Sequence, residues 1–324
     1  MTILFITATR IGDAVLTTGL LDHVIATRPG ARVTVACGVA AAPLFAATPG
    51  VERVIAMVKR KAALHWVDLW RACVATRWSL IVDLRGSALA HLLLAGERRV
   101  FRPTGGMLIH RVKALATVFD LDPPPTPRLW TDAAQDAAAR RLIPDGAPVL
   151  AIGPTANWPG KIWDADNFIA LIRRLTAAGA PLAGARVAVF GGAPERAIAR
   201  PVIAAATAAG GIDLVGRVDL ATAAAALRRC ALYVGNDSGL MHIAAAVGTP
   251  TLGLFGPSRP ERYAPWGPHT DVARTEIAYD DLFPPGYDHR ATGSLMGSLG
   301  IDAVERAALG LLARTGAGTG AGAA

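Results

Sequence analysis

The sequence predicts an α/β fold made of two parallel-sheet units in tandem. Apolar, strand-like segments alternate with amphipathic, helix-like segments in the first half, and the same alternation starts again in the second half. Between the halves, residues 121–148 contain "LDPPPTPRLW" and "IPDGAP", which are rich in helix breakers. A length of 324 residues is also typical of two domains. We therefore expect one domain over residues 1–135, a second over 136–313, and a low-complexity, disordered tail over 314–324.

Strands and helices of the first half follow from apolar spacing. "TILFIT" is an apolar, β-branched strand, and apolar residues at helical spacing in "AVLTTGLLDHVIATR" predict the helix that follows it. "LHWVDLWRACVATRW" has the same helical spacing. Further strands are predicted at "ARVTVACG", "VERVIAM", "SLIVDLRGS" and "VFRPTGG".

The second half repeats this alternation after a short helix, "TDAAQDAAARRL". "WDADNFIALIRRLTAAG" is strongly amphipathic, with Asp164 or Asp166 as its N-cap. The predicted strands are "PVLAIGPTAN", "ARVAVFGG", "IDLVG", "ALYVGND" and "PTLGLFG", and the other predicted helices are "APERAIARPVIAAATAAG", "DLATAAAALRRC", "SGLMHIAAAVG" and "IDAVERAALGLLAR". Two such domains are expected to face each other across a ligand cleft at their strand ends.

Composition narrows the class of protein. Hydrophobic residues make up 52% and charged residues 18%, which favours a large core, and the net charge of +8 suggests anionic partners. No basic stripe interleaved with aromatic residues is present, so nucleic-acid binding is disfavoured. The three cysteines form no metal or disulfide pattern, which favours a reducing compartment. Because no apolar run approaches the ~18 residues that span a bilayer, we expect a cytoplasmic protein, with peripheral membrane contact left open.

Asp13 lies where the first predicted strand turns into a helix, in "TATRIGDAVLTTGLL". In an open α/β sheet, ligands bind at such carboxyl ends of strands. Asp13 is therefore either a helix N-cap, a position that aspartate favours, or a catalytic carboxylate.

A second polar strand end is "GNDSGLMH", in which a predicted strand ends at Asn236 and Asp237 and a helix begins at Ser238 and Gly239. The free N–H groups and the dipole of a helix N-terminus bind phosphate, and Gly239 permits close approach. His242, one turn further, is either a phosphate donor or a buried core histidine. Asp237 and Ser238 are alternatively a simple capping pair.

Two loops of the second half carry further polar candidates. Thr155 and Lys161 lie in "GPTANWPGKIW", where a lysine supplies a point charge for phosphate or is merely solvated. Glu195, in "VFGGAPERA", either accepts hydrogen bonds from ribose hydroxyls or stabilises a helix N-terminus. No GxGxxG motif follows a strand, so dinucleotide oxidoreductases are disfavoured. Walker, HExxH and GxSxG motifs are missing as well.

These segments, in this order, resemble glycosyltransferase family nine, the ADP-heptose:lipopolysaccharide heptosyltransferases. The resemblance is carried by "IGDAVLTTGLL", "DLRGS", "KIW" and "GNDSGLMHIAAAVGTPTLGLFGPS" and runs over nearly the whole chain. It implies the GT-B architecture, with two Rossmann-like domains, the acceptor bound by the first and the nucleotide-sugar donor by the second, and no metal or cofactor.

The resemblance also implies roles for individual residues. Asp13 matches the catalytic base, and the donor diphosphate would be held by Thr155, Lys161, Asp237, Ser238, Gly239 and His242, with Glu195 near the nucleotide. Lys59, Arg60 and Lys61, together with Arg85 of "DLRGS", would contact an anionic, lipid-linked sugar acceptor at the inner membrane, although a solvated basic turn is an alternative for the lysine-rich segment. Ser238 replaces a threonine of some relatives, and the segment 279–300 has no cysteine where some relatives have several.

The expected reaction is a single displacement with inversion, in which Asp13 removes the proton of the acceptor hydroxyl. Lys161 and the N–H groups at Ser238 and Gly239 would stabilise the departing diphosphate. Two alternatives remain at this point: a nucleotide-sugar 2-epimerase of the same architecture, and a non-catalytic protein that binds nucleotide sugars.

Overall fold

A computed structural model describes residues 1–103, 106, 108–283, 286–288 and 293–316. The chain divides into two compact units, Met1–Asp132 and Ala133–Ala324. Each unit contains one parallel sheet. Of the expected tail, Arg314 and Thr315 belong to the last helix, and residues 317–324 lie outside the described residues.

The N-terminal unit has a five-stranded parallel sheet in the order β3-β2-β1-β4-β5. Its strands are β1 (Thr2–Ile6), β2 (Arg32–Gly38), β3 (Val51–Met57), β4 (Trp78–Asp83) and β5 (Ala95–Val100). Its helices are α1 (Ile11–Val15), α2 (Thr18–Ala26), α3 (His65–Cys73), α4 (Leu89–Leu92) and α5 (Arg111–Ala116). Short 3-10 segments lie at Val39–Phe45, Lys61–Ala63 and Thr117–Phe119.

The C-terminal unit has a six-stranded parallel sheet in the order β11-β10-β9-β6-β7-β8. Its strands are β6 (Val149–Gly153), β7 (Arg186–Val189), β8 (Ile212–Asp213), β9 (Leu232–Asn236), β10 (Thr251–Phe255) and β11 (Thr270–Arg274). Its helices are α6 (Ala133–Leu142), α7 (Ala165–Thr176), α8 (Arg196–Ala208), α9 (Leu220–Leu227), α10 (Gly239–Ala246), α11 (Pro260–Tyr263) and α12 (Ile301–Thr315). Three-residue 3-10 turns lie at Pro159–Lys161, Ala193–Glu195 and Tyr279–Asp281.

The central strands of both sheets are buried on both faces, which explains why they read as continuous apolar runs. The predicted α/β class with two parallel sheets is confirmed. Within the described ranges, no helix is both long enough and apolar enough to cross a bilayer.

The helix predicted after β1 is broken into α1 and α2. The hydroxyls of Thr17 and Thr18 donate to the carbonyl oxygens of Ala14 at 2.7 Å and Val15 at 2.8 Å, and such local bonds compete with helical ones. Gly19 then packs directly against backbone, because a Cβ there would lie 2.5 Å from the Pro125 carbonyl oxygen. The break thus lets the chain bend close to the segment at Pro125.

The other differences between the predicted and the observed elements concern strands at the edges of the sheets. The strand predicted at "VFRPTGG" was placed too late, since β5 ends at Val100, and β11 was not predicted at all. Both strands lie at the edge of a sheet and carry charged side chains, so they lack the apolar pattern of a buried strand. The strand predicted at "IDLVG" shrinks to the two residues of β8.

Candidate functional site

The strand order of the C-terminal sheet has its switch point between β6 and β9. From β6 the chain builds β7 and β8 on one side and then returns to place β9 and β10 on the other. The loops after β6 and β9 therefore leave the sheet in opposite directions and open a crevice, which is where ligands bind in such folds. Thr155 and Lys161 follow β6, and Asp237 to His242 follow β9.

An ion pair joins these two loops. Lys161 Nζ donates to Asp237 Oδ2 at 2.5 Å, and the Asp237 side chain is only 7% exposed. Asp237 is fixed in turn because its N–H donates to the Leu254 carbonyl oxygen at 3.1 Å. A buried carboxylate needs such a partner, so Asp237 holds the Lys161 ammonium at the crevice.

The N-terminus of α10 lies directly beside this pair. Ser238 occupies the N-cap position with extended backbone, yet its side chain makes no capping bond, so the simple capping interpretation is wrong for this serine. His242 Nε2 lies 4.0 Å from Asp237 Oδ1, and His242 is buried. The structure thus brings Lys161, Asp237 and His242 together around the free N–H groups of the first turn of α10.

At this edge, the buried atoms Asn236 Nδ2 and Ser258 Oγ have no hydrogen-bond partner among the described residues. Tyr233 Oη and Ser238 Oγ are also buried there, and among the described residues each has only the other as a partner. Buried polar atoms are rarely left unpaired in proteins, so this group points to a polar ligand that completes the site.

Tyr233 reaches the site through space left by two glycines. A Cβ at Gly153 would lie 2.0 Å from Tyr233 Oη, and one at Gly235 would lie 2.4 Å from it. Burial raises the pKa of the Tyr233 phenol; the Ser238 hydroxyl opposes this shift and the negative charge of Glu195 adds to it. The phenol therefore stays protonated and can donate a hydrogen bond.

The loop that carries Lys161 is tied down from several sides. Trp163 N donates to Asn236 Oδ1 at 3.1 Å, and Trp163 Nε1 donates to the Leu299 carbonyl oxygen at 2.9 Å. Ser294 Oγ donates to the Ile162 carbonyl oxygen at 2.6 Å, and Leu295 N donates to that of Gly160 at 3.0 Å. Lys161 is therefore presented by a fixed backbone.

Thr155 and Glu195 lie together at the end of β7. A Cβ at Gly191 would lie 3.5 Å from both Thr155 Oγ1 and Glu195 Oε2. Glu195 Oε2 also accepts the Gly192 N–H at 2.6 Å, which fixes the turn that leads into α8. Of the two predicted N-caps for α7, the structure selects Asp164, which accepts the Asp166 N–H at 2.8 Å.

The N-terminal sheet has its own switch point, between β1 and β4. Asp13 follows β1 in the first turn of α1, half-buried, and its carboxylate makes no hydrogen bond or ion pair with any described residue. Arg10 holds the N-cap position of α1, so the capping interpretation of Asp13 is wrong. A bond of 2.7 Å between the Thr7 and Thr17 hydroxyls fixes the turn, and the free carboxylate is available to a ligand.

The loop after β4 is built on Asp83, which is fully buried. Its two carboxylate oxygens accept the Arg85 N–H at 2.8 Å, the Ser87 N–H at 2.8 Å and the Ser87 hydroxyl at 2.5 Å. These bonds place the Arg85 guanidinium 5.3 Å from the centre of the Trp66 ring, at the start of α3.

The basic residues before α3 are all exposed. Arg60 pairs with Asp68 at 2.8 Å, whereas Lys59 and Lys61 make no ion pair with a described residue. The structure therefore brings Lys59, Arg60, Lys61 and Arg85 to the beginning of α3.

Four site residues were missed by the sequence reasoning: Tyr233, Asn236, Ser258 and Asp83. For Tyr233, the signal was the pair of glycines in "AIGP" and "YVGN", which leave room for a large side chain on adjacent strands. Asp83 is the last residue of β4, and Asn236 is the last residue of β9, directly before Asp237. A polar residue at the carboxyl end of a strand was therefore the sequence signal for both.

The two parallel-sheet units have the GT-B architecture. The family model for glycosyltransferase family 9 (heptosyltransferase) matches residues 67–281, more than half of the chain, and the protein belongs to this family. It is a glycosyltransferase.

Individual relatives agree with this assignment. The chain is 25% identical over 311 residues to lipooligosaccharide heptosyltransferase 2 of Haemophilus influenzae. This alignment covers 85% of this chain and 88% of the relative. Among solved structures, ADP-heptose LPS heptosyltransferase II of Escherichia coli has a TM-score of 0.76 and 22% identity, covering 98% of this chain and all of the other. The family 9 glycosyltransferase of Veillonella parvula has a TM-score of 0.78 and 20% identity, covering 97% of each chain.

Proposed function

We propose that this protein transfers heptose from ADP-heptose to a lipopolysaccharide-core or related glycan acceptor, with inversion and without a metal ion. The names of its relatives support this donor and acceptor. The proposed site of action is the cytoplasmic face of the inner membrane, where a lipid-linked acceptor is available.

The observation that carries the proposal is the switch point of the C-terminal sheet. There, a lysine ammonium, the N-terminus of α10 and four buried polar atoms that lack other partners among the described residues lie at adjacent strand ends. A nucleoside diphosphate matches this arrangement, because its phosphates accept hydrogen bonds and its ribose hydroxyls both donate and accept them.

Charge on the leaving group determines the roles of these residues. As the bond between the sugar and the diphosphate breaks, negative charge grows on the β-phosphate. Lys161 and the N–H groups at Ser238 and Gly239 would stabilise that charge. His242 and Thr155 complete the polar surroundings, Glu195 lies where a ribose hydroxyl would bind, and Asp237 orients the lysine.

Asp13 is the proposed general base. Its carboxylate has no partner within the described part of the chain, so it can accept the proton of an acceptor hydroxyl as that oxygen attacks the anomeric carbon. Attack from the face opposite the diphosphate inverts the configuration at that carbon. Lys59, Arg60, Lys61 and Arg85 are proposed to bind the anionic groups of the acceptor.

The test is calorimetric titration of the purified protein with ADP, UDP and GDP in the presence of EDTA, followed by an assay with ADP-heptose and a truncated lipopolysaccharide acceptor. We expect ADP to bind most tightly, EDTA to leave its affinity unchanged, and heptose to appear on the acceptor. Preference for UDP or GDP would contradict the donor assignment. Turnover of a nucleotide sugar in the absence of any acceptor would instead identify an epimerase, and failure to bind any of the three nucleotides would contradict the proposed donor site.

A further inference from the structure

An exposed apolar face on the N-terminal unit is not explained by the proposed reaction. Along α3, the residues at Leu64, Val67, Trp70 and Val74 are spaced by three or four positions and share one side of the helix. All four are exposed, while His65, Leu69 and Cys73 on the opposite side are buried. The helix thus presents an apolar stripe to the surroundings in addition to the stripe that packs on the sheet.

This stripe borders an open groove of about 710 Å³ between α3 and α4. Trp66, Val67 and Trp70 line it from α3, Leu89 and Leu92 line it from α4, and Arg85 of the loop before α4 also lines it. Trp70 Nε1 donates to the Leu92 carbonyl oxygen at 3.3 Å, which ties the two walls together. Leu92 is 65% exposed and nearby Leu94 is 69% exposed, so the apolar surface continues past the groove.

The same face is strongly basic at its edge. Between Val58 and Val74 there are four lysines and arginines, and Asp68 is the one acidic residue. Since Asp68 is already paired with Arg60, the positive charges of Lys59, Lys61 and Arg71 are not balanced by neighbours in this segment. A partner for this face must therefore be apolar at its centre and anionic around it.

We propose that the α3–α4 face is a docking surface for an anionic lipid bilayer. Tryptophan and leucine side chains beside lysine and arginine are the composition of helices that lie in the membrane interface. The apolar side chains enter the region below the headgroups, and Arg71 contacts the headgroup phosphates. Lys59, Lys61 and Arg85, which are proposed to bind the acceptor, add positive charge that attracts the same anionic surface. A bilayer fits better than a small ligand because the apolar surface is open and extends beyond the groove.

The test is co-sedimentation of the full-length protein with vesicles of phosphatidylcholine containing about 30% phosphatidylglycerol, the anionic component. We expect binding to these vesicles, binding weaker by about fivefold or more to pure phosphatidylcholine, and a decline with rising salt. The double variant Val67→Ser with Leu92→Ser is expected to bind at least about fivefold more weakly, and Arg71→Glu about twofold to threefold more weakly.

Matched controls lie on exposed helices of the C-terminal unit. Ile198→Ser with Leu309→Ser removes exposed apolar side chains from α8 and α12, and Arg200→Glu reverses an exposed charge on α8. These controls are expected to bind vesicles as the parent does, and circular dichroism melts establish that every variant is folded.

Three results would overturn the proposal. In the first, the parent stays in the supernatant with anionic vesicles; in the second, the Val67 and Leu92 double variant binds as tightly as the parent. In the third, inorganic phosphate releases the protein far better than chloride of equal ionic strength, which indicates a phosphate site in place of a lipid surface. Because the vesicles carry neither glycan acceptor nor nucleotide, the result is independent of the proposed transfer reaction.

Discussion

Asp13 shows how one residue can be ambiguous in the sequence and specific in the structure. The sequence alone allows a helix cap or a base, and the structure removes the first alternative by placing Arg10 at the cap. Asp13 is then a half-buried carboxylate on a fixed turn, with no partner among the described residues, and these are properties of a general base.

We expect Asp13→Asn to lower the rate of heptose transfer by about 10²- to 10⁴-fold, because an amide cannot accept the proton. The affinity for ADP is expected to change by less than about twofold, since Asp13 and the phosphate residues belong to different units. Turnover and calorimetry of the same preparation separate the two effects. Asp22→Asn, a half-buried carboxylate on α2, is the control, and transfer by Asp13→Asn at the parent rate would exclude Asp13 as the base.

Lys161→Ala is expected to weaken ADP binding by about tenfold to a hundredfold, because it removes a charge-assisted bond to phosphate. It also leaves Asp237 buried without its cation, so the free energy of unfolding should fall by about 1–3 kcal/mol. Calorimetry and urea unfolding measure the two quantities. Arg173→Ala, which removes an exposed cation from α7, should change neither, and unchanged ADP affinity in Lys161→Ala would remove the lysine from the phosphate site.

Residues that end strands could be predicted as candidates, whereas their partners could not. Lys161 and Asp237 were recognisable separately because each follows an apolar strand, but 76 positions separate them, and only the sheet order shows that they pair. Tyr233 lies inside an apolar run, so its sequence context indicates core packing, and the two glycines that make room for its phenol lie on different strands, whose pairing only the sheet order shows.

At the scale of elements, the loop between β4 and α4 depends on one buried carboxylate. Asp83→Ala would leave the Arg85 N–H, the Ser87 N–H and the Ser87 hydroxyl without their acceptor. We expect the free energy of unfolding to fall by about 2–4 kcal/mol, measured by urea denaturation. Ser87→Ala removes only the hydroxyl and should cost about 1 kcal/mol, so equal effects of the two variants would contradict this account.

The end of β8 is expected to be pH-sensitive. Burial opposes ionisation of Asp213, but hydrogen bonds from Arg196 and Val215 N, together with the charge of Arg217, outweigh burial and lower its pKa below 3.8. A carboxyl whose pKa is lower in the folded state adds stability above its unfolded pKa and loses it as the pH falls through the folded value.

Asp213→Asn should therefore destabilise the protein by about 1 kcal/mol at neutral pH, and the difference from the parent should shrink below about pH 4. Urea unfolding across this pH range measures it. Asp302→Asn, which breaks an exposed pair with Arg174, is the control and should have a smaller effect. A difference for Asp213→Asn that stays constant down to pH 2 to 3, about a unit below its usual pKa, would contradict the role of its charge.

Elements were predictable where burial imposes a pattern. Central strands such as β1, β6 and β9 read directly as apolar runs, because both faces of each strand are covered. Edge strands β5 and β11 carry charges on exposed faces, so they lack an apolar pattern. The break between α1 and α2 depends on hydrogen bonds of threonine side chains and on a backbone contact at Pro125, so the spacing of apolar residues does not reveal it.

At the scale of the whole molecule, the three buried cysteines are divided between the units. Burial raises the pKa of Cys37 to about 12 and that of Cys73 to about 11, and it also raises the pKa of Cys230. Cys37 and Cys73 lie in the N-terminal unit and Cys230 lies in the C-terminal unit.

We expect the native protein to react very slowly with a disulfide reagent such as dithionitrobenzoate at neutral pH, because buried protonated thiols are poor nucleophiles. The denatured chain should release three equivalents. Mass spectrometry of partly labelled protein in rising urea then shows which unit opens first. Rapid labelling of any cysteine in the absence of denaturant would show that its thiol is not buried.

The hydrogen bonds between the Lys161 loop and the segment at Ser294 have an evolutionary consequence. Ser294 holds the Ile162 carbonyl across 132 positions of sequence, and its neighbour Leu295 holds Gly160, so two segments far apart in the chain shape one backbone. A substitution in either segment alters the backbone of the other, so the two segments should change together among descendants of a common ancestor. A chimaera that exchanges only residues 293–299 with those of a distant relative should therefore lose ADP affinity, and exchanging residues 157–163 from the same donor should restore it.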